Sequence, residues 1–190
     1  MGLHYPVTYF EAPGGENTEA VLQTALRYAK ERLIKNIIVA STGGDTGLRA
    51  VEVFQDFNLV VVTHMTGHRT PGTQEMPKEI REKIQEKGAK VLTTTHALAG
   101  VERGIRIKTG TWMPVEIVAQ TLKLFGEGTK VATEITVMAA DSGHIPMDED
   151  VVAIGGTGSG ADTALHIKPA HSNNFLDLKV KTIICKPENF

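Results

Sequence analysis

The apolar positions change period along the chain. Val21, Leu22, Ala25, Leu26, Ala29 and Leu33 recur at three- and four-residue steps, the spacing that aligns one face of an α-helix. Asn17 stands where an N-cap belongs and Glu19 falls in the first turn. Before this helix lie a short extended segment at residues 7–10 and a Pro-Gly-Gly turn beginning at Pro13. After it, residues 36–40 and 59–63 are apolar runs rich in Ile and Val, as expected of strands covered on both faces inside a parallel sheet. A helix carrying Leu48, Val51 and Phe54 separates these two strands. A charged helix follows, with Met76, Ile80 and Ile84 every fourth residue and Gly88 as its stop, and then a strand at residues 90–94.

Two more helical patterns come next. Pro114 opens the first, with Val115, Val118, Leu122 and Phe125 on its apolar face and Gly126 at its end. Thr129 can cap the second, whose core face is Val131, Ile135, Met138 and Ala139, ending at Gly143. The tail turns to β at residues 151–154, 163–167 and 179–185. This alternation predicts an α/β fold: a three-layer sandwich with a mainly parallel sheet and helices on both faces. The strands at the C-terminal end are expected to add antiparallel neighbours at one edge. No repeat or linker interrupts the 190 residues, so a single domain is expected.

In an open α/β sheet, ligands bind outside the carboxyl ends of the parallel strands. Four loops leave those ends. The first, Ser41-Thr42-Gly43-Gly44-Asp45-Thr46, joins a strand directly to a helix, so backbone N–H groups and hydroxyls converge on a helix N-terminus that attracts phosphate. The second, residues 63–73, includes Thr63, His64, Gly67 and His68 and is about twice the usual length for such a connection. The third, residues 95–112, reads as a still longer loop with Thr95, His96, Gly100, Arg103, Gly104, Arg106 and Gly110. The fourth holds Gly155, Gly156, Thr157, Gly158, Ser159, Gly160, Ala161, Asp162 and Thr163. Glycine, hydroxyl and imidazole groups of short reach suit a phosphate on a polyhydroxylated linker. The bland alternatives are a glycine-rich turn that binds nothing and, for the fourth loop, a hairpin-like turn.

Composition narrows the partners. Net charge is −2 and no Lys/Arg run occurs, so neither nucleic acid nor an anionic membrane is expected. Residues 1–6 lack the apolar stretch of a leader, and Pro6 stands where a myristoylation signal needs Ser or Thr. A soluble, cytoplasmic protein is therefore expected. The only cysteine, Cys185, lies in an apolar run and reads as a buried strand thiol rather than a nucleophile.

From residue 16 to about residue 95 the chain resembles the C-terminal domain of pyruvate kinases, which has the same helix–strand–loop order. Ile37-Ile38-Val39-Ala40-Ser41-Thr42-Gly43-Gly44-Asp45-Thr46 falls where that domain places its effector-phosphate loop. Over its whole length, the glycine-rich fourth loop included, it is similar to stand-alone, mostly archaeal proteins built on that domain. That resemblance implies flavin mononucleotide (FMN) as cofactor. Pyruvate kinase chemistry resides in a separate barrel for which this length leaves no room, so phosphoenolpyruvate transfer is not expected. The kinases' effector loop carries basic residues where this chain has Thr42 and Asp45, which disfavours a sugar bisphosphate.

The expected ligand site is therefore Ser41, Thr42, Gly43, Gly44, Asp45 and Thr46 around the phosphate, with Arg103 or Arg106 as counter-charge. Thr63, His64 and Gly67, Thr95 and His96, and Gly155, Gly156, Thr157, Gly158, Asp162 and Thr163 would surround the rest of the ligand. A bound flavin would leave a redox role, as a flavin-dependent oxidoreductase, open. The alternative is a non-catalytic module sensing a phosphorylated metabolite. A phosphatase or isomerase would need an acid/base pair, for which His96 with Asp162 is the sole nominee. His64, His68 and His96 share one sheet edge, while His144, His166 and His171 come later. With no metal motif among them, no metal site is expected. Homo-oligomer formation is left open.

Overall fold

The computed structural model describes residues 6–190, so residues 1–5 of the run read for a leader signal lie outside it. In chain order the elements are β1 (Thr8–Phe10), α1 (Thr18–Glu31), β2 (Asn36–Ala40), α2 (Asp45–Val53), β3 (Asn58–Val62), α3 (Lys78–Glu86) and β4 (Lys90–Leu92). They continue with α4 (Gly100–Thr109), α5 (Pro114–Lys123), α6 (Glu127–Asp141), β5 (Val151–Gly155), β6 (Thr163–Lys168) and β7 (Lys179–Pro187).

The unbroken apolar runs have a direct structural cause. Along β2, Ile37 and Val39 face the layer of α1, α2 and α3, while Ile38 faces α6, and all three are fully buried. β3 repeats the division, with Val61 on the first side and Val60 and Val62 on the second. α1 contributes Val21, Leu22, Ala25 and Ala29 to one core, and α6 contributes Ala132, Ile135, Met138 and Ala139 to the other. Two-sided burial removes the polar alternation that a half-exposed strand would show.

One seven-stranded sheet results, in the order β1-β7-β6-β5-β2-β3-β4. β2, β3 and β4 are parallel neighbours, and β5 pairs parallel with the other side of β2. β6 and β7 continue as antiparallel neighbours, as expected of the tail. They do not end the sheet, however, because β1 lies parallel on β7 and forms the outer edge. At the amino edge, Asn58 donates to Asn36 Oδ1 at 2.8 Å, Asn36 to Glu149 Oε2 at 2.7 Å, and Lys90 to Asn58 Oδ1 at 2.8 Å. This side-chain ladder fixes the relative register of three strands.

Three expectations need correction. The third loop contains a helix, α4. It packs through polar contacts to α5, with Glu102 accepting from the Val115 N–H at 2.8 Å and Arg106 pairing with Glu116 at 2.9 Å. Its apolar residues Val101, Ile105 and Ile107 are exposed, so no apolar stripe announced it. Asn17 does not cap α1. Its amide reaches back to the carbonyls of Ala12 and Gly14 across a 3-10 turn. Nor does Thr129 cap α6, which starts at Glu127 behind Gly126, while the Thr129 hydroxyl donates to the Phe125 carbonyl.

Candidate functional site

The chain leaves β2 towards β3 on one side, and β5 returns to pair with β2 on the other. Loops leaving β2 and β5 therefore diverge, and a crevice must open between them at their carboxyl ends. A cavity of about 600 Å³ lies there, lined by the first and fourth loops together with the second loop, α4 and α6. That volume is typical of small-molecule sites.

Ser41, Thr42, Gly43, Asp45 and Thr46 line this cavity. Ser41 continues the strand through its N–H to Val62, and its Oγ accepts the Gly47 N–H at 3.0 Å. The Ser41 hydroxyl thus satisfies a first-turn donor of α2 and is not an activated nucleophile. Gly44 stands outside the lining. Its φ of 106° is left-handed, and a Cβ would meet Ile80 Cγ2 at 2.2 Å, so α3 packing demands the glycine. Gly43, with open space where a Cβ would be, is the glycine that a ligand can approach.

The second loop brings Thr63 and His64 to the cavity, together with His68, Arg69 and Glu75. Its shape is held by the Gly67 N–H to Thr73, at 2.8 Å, and by Gln74 donating to the His64 carbonyl at 3.0 Å. Gly67 shapes this loop and does not line the cavity. Glu75 holds His64 Nδ1 at 2.7 Å and Arg69 Nε at 3.0 Å, while His64 Nε2 lies 3.3 Å from the Thr42 hydroxyl. Burial raises the Glu75 pKa, but the hydrogen bond from His64 and the charges of His64 and Arg69 outweigh it and hold the carboxyl below its ordinary range.

His96 joins from the third loop. Ring centroids of His64, His68 and His96 lie 4.1 to 5.3 Å apart. His96 Nε2 accepts the Met65 N–H at 3.4 Å, and burial pushes its pKa down to about 4 against the opposing charge of Glu134. Burial, His64 and Arg103 likewise lower the His68 pKa. Among the described residues, no group of three His, Cys, Asp or Glu side chains is arranged to hold a metal ion.

Of the two arginines proposed as counter-charge, Arg103 lines the cavity and makes no ion pair with any described residue. Arg106 is committed elsewhere: it pairs with buried Glu116 and stacks over Trp112, 4.7 Å from the ring centroid. Thr95 faces an adjoining cavity of about 410 Å³ that shares His96, Ala99 and Met138.

Gly156 and Gly158 of the fourth loop reach the cavity. Gly155, Thr157, Asp162 and Thr163 do not, and they build the loop instead. Asp162 is fully buried and accepts from Gly14 N at 3.2 Å, Thr157 N at 3.0 Å and Thr163 Oγ1 at 2.7 Å. With those donors, Asp162 cannot serve as an acid/base partner of His96. Gly155 presses on α6, where a Cβ would stand 2.5 Å from the Gly128 carbonyl oxygen.

One whole wall escaped the sequence reading. α6 presents Lys130, Val131, Glu134, Ile135 and Met138 to the cavity. Glu134 accepts the Leu98 N–H at 2.9 Å and pairs with Lys130, so it ties the third loop to α6. An i,i+4 charge pair inside an otherwise apolar, threonine-rich helix was the available signal. Cys185 is fully buried in β7, where burial pushes its thiol up to about 12, outside any catalytic range.

Among solved structures, a pyruvate kinase from Cryptosporidium parvum is 13% identical, covering 78% of this chain and 22% of its own, with a TM-score of 0.41. A second structure of pyruvate kinase from that organism is 12% identical over 88% of this chain and 22% of its own, with a TM-score of 0.37. An O-ureido-L-serine synthase is 16% identical over 66% of this chain and 48% of its own, with a TM-score of 0.32. The chain spans about a fifth of the length of the pyruvate kinases it matches. Residues 19–166, well over half of the sequence, match the pyruvate kinase alpha/beta domain, and the chain belongs to that family.

Proposed function

We propose that this protein binds a phosphate-bearing small molecule, FMN above others, in the cavity at the carboxyl edge of β2, β3 and β5. The observation that carries the reading is the composition of the cavity wall. Thr42, Gly43 and Thr46 at the start of α2, together with unpaired Arg103, offer the donors and charge that a phosphate needs. Val131, Ile135 and Met138 of α6 offer an apolar surface suited to the flat ring of a flavin. When bound, the flavin would supply hydride or single-electron chemistry at its ring. The residues of this chain would bind and orient it, with α6 on the ring side and α2 and Arg103 on the phosphate side.

Calorimetry with FMN, riboflavin and fructose phosphates tests this. Each charge-assisted hydrogen bond to the phosphate contributes about 1.5–3 kcal/mol, so FMN is expected to bind at least about tenfold more tightly than riboflavin. A yellow purified protein would agree. Binding of sugar phosphates alone would replace this reading with that of a metabolite-sensing module, and equal affinity for the two flavins would remove the phosphate site.

A further inference from the structure

We infer that the cavity takes up its anionic group together with a proton, which the imidazoles of His68 and His96 receive beside Arg103. This rests on the reading of the cavity as a phosphate-type anion site, though not on the identity of the rest of the ligand. Most charges on the cavity wall are already paired. Arg69 answers the carboxylate of Glu75, and Lys130 answers that of Glu134. Glu127 is paired with Lys123. Arg103 alone among the lining Lys and Arg side chains has no ion-pair partner among the described residues. Asp45, exposed at the start of α2, is a lining carboxylate with no ion-pair partner among the described residues, so one guanidinium balances less than half of a dianion there.

Beyond the partial charge of the α2 start, a further full positive charge can come from the three imidazoles that line the cavity, His64, His68 and His96. His64 is engaged at both nitrogens, by Glu75 from its own loop and by Thr42 from the first loop. His68 is acted on by the charges of Arg103 on α4, Arg69 and Glu75, and by His64. His96 is acted on by Glu134 and Lys130 on α6 and by the other two rings. Three rings this close cannot all be charged, and without an anion burial keeps His68 and His96 below their ordinary range. A dianion set between Arg103 and these rings reverses the balance. It supplies the missing opposite charge, so proton and anion bind cooperatively. The class of group selected is a compact dianion, such as a phosphate monoester, rather than a singly charged carboxylate.

Sulfate is the decisive probe, because a phosphate monoester itself titrates near pH 6. The imidazole Cε1–H resonances of the full chain are followed by NMR against pH, in sulfate and in chloride at equal ionic strength. The expected result is that sulfate raises the apparent pKa of His68 or His96 by about one unit or more and leaves His166 unmoved. By linkage, sulfate affinity should then rise roughly tenfold per pH unit lost across that range. Arg103→Gln should weaken sulfate at every pH and keep the slope, whereas His68→Gln combined with His96→Gln should flatten it. The single His68→Gln variant guards against misfolding of the double one. If sulfate or FMN binds with no change in either histidine, proton coupling is overturned and the anion site stands. If neither binds at any pH, both readings fail together.

Discussion

Two adjacent glycines in the first loop are predicted to fail in opposite ways. Gly44 holds φ at 106°, and a Cβ there would stand 2.2 Å from Ile80 Cγ2. For Gly44→Ala, the left-handed backbone costs about 1–2 kcal/mol and the forced displacement of α3 about 1–3 kcal/mol. The sum, about 2–5 kcal/mol, is a large part of the total stability of a domain. Gly43 has nothing within 4 Å of its Cβ position and lies outside the positive-φ set, so Gly43→Ala is expected to change stability by no more than about 1 kcal/mol, in the stabilising direction. Its effect falls on binding, because the methyl group projects where a ligand would approach the main chain. FMN affinity should drop about tenfold, or about 1.4 kcal/mol.

Urea denaturation gives the first quantity for each variant and calorimetry the second. A Gly44→Ala variant that unfolds within about 0.5 kcal/mol of the wild type, or a Gly43→Ala variant that is the less stable of the two, overturns this division of roles. Unchanged FMN binding by folded Gly43→Ala would remove the α2 start from the site.

Asp162→Asn should lower stability by about 2–3 kcal/mol, since a buried carboxylate loses charge-assisted bonds from Gly14, Thr157 and Thr163; urea midpoints measure it. Arg106→Gln should loosen the α4–α5 pair, seen as faster amide exchange in α4, while anion affinity stays as in the wild type. Folded His96 has its pKa near 4 against 6.5 for the free side chain, and burial also depresses His166. The unfolded chain therefore binds protons first as pH falls, so stability should decline below about pH 6.5 by up to about 1.4 kcal/mol per pH unit for each group. Stability that is flat from pH 7 to 5 would contradict this.

The sheet was legible because its cause is written in consecutive residues. Ile37-Ile38-Val39 and Leu59 to Val62 are apolar without alternation only because α1, α2 and α3 cover one face and α6 the other. α4 was illegible for the complementary reason: it is held by Glu102 and Arg106 reaching α5, while its apolar residues face solvent. Caps failed at Asn17 and Thr129 because each side chain found a carbonyl to donate to, and competition of that kind is decided by local geometry rather than residue type.

At the site, loop chemistry could be read but its division of labour could not. A stretch such as residues 155–163 offers glycine, hydroxyl and carboxylate groups equally to a ligand or to its own backbone. Asp162 went inward, to Gly14, a residue almost the whole chain away in sequence, and no local pattern encodes that partner. Gly44 likewise answers to Ile80 on the next helix. The α6 wall was hidden by its own burial pattern: Lys130 and Glu134 lie on a helix that looks like core, and only the sheet order, with β5 returning beside β2, turns that helix towards the cavity. The three imidazoles show the same dependence. Sequence places His64, His68 and His96 on one edge, but their mutual contact is made only by the folded loops, and Arg103 is the lining cation without an ion pair among the described residues because Glu75 and Glu134 have taken Arg69 and Lys130.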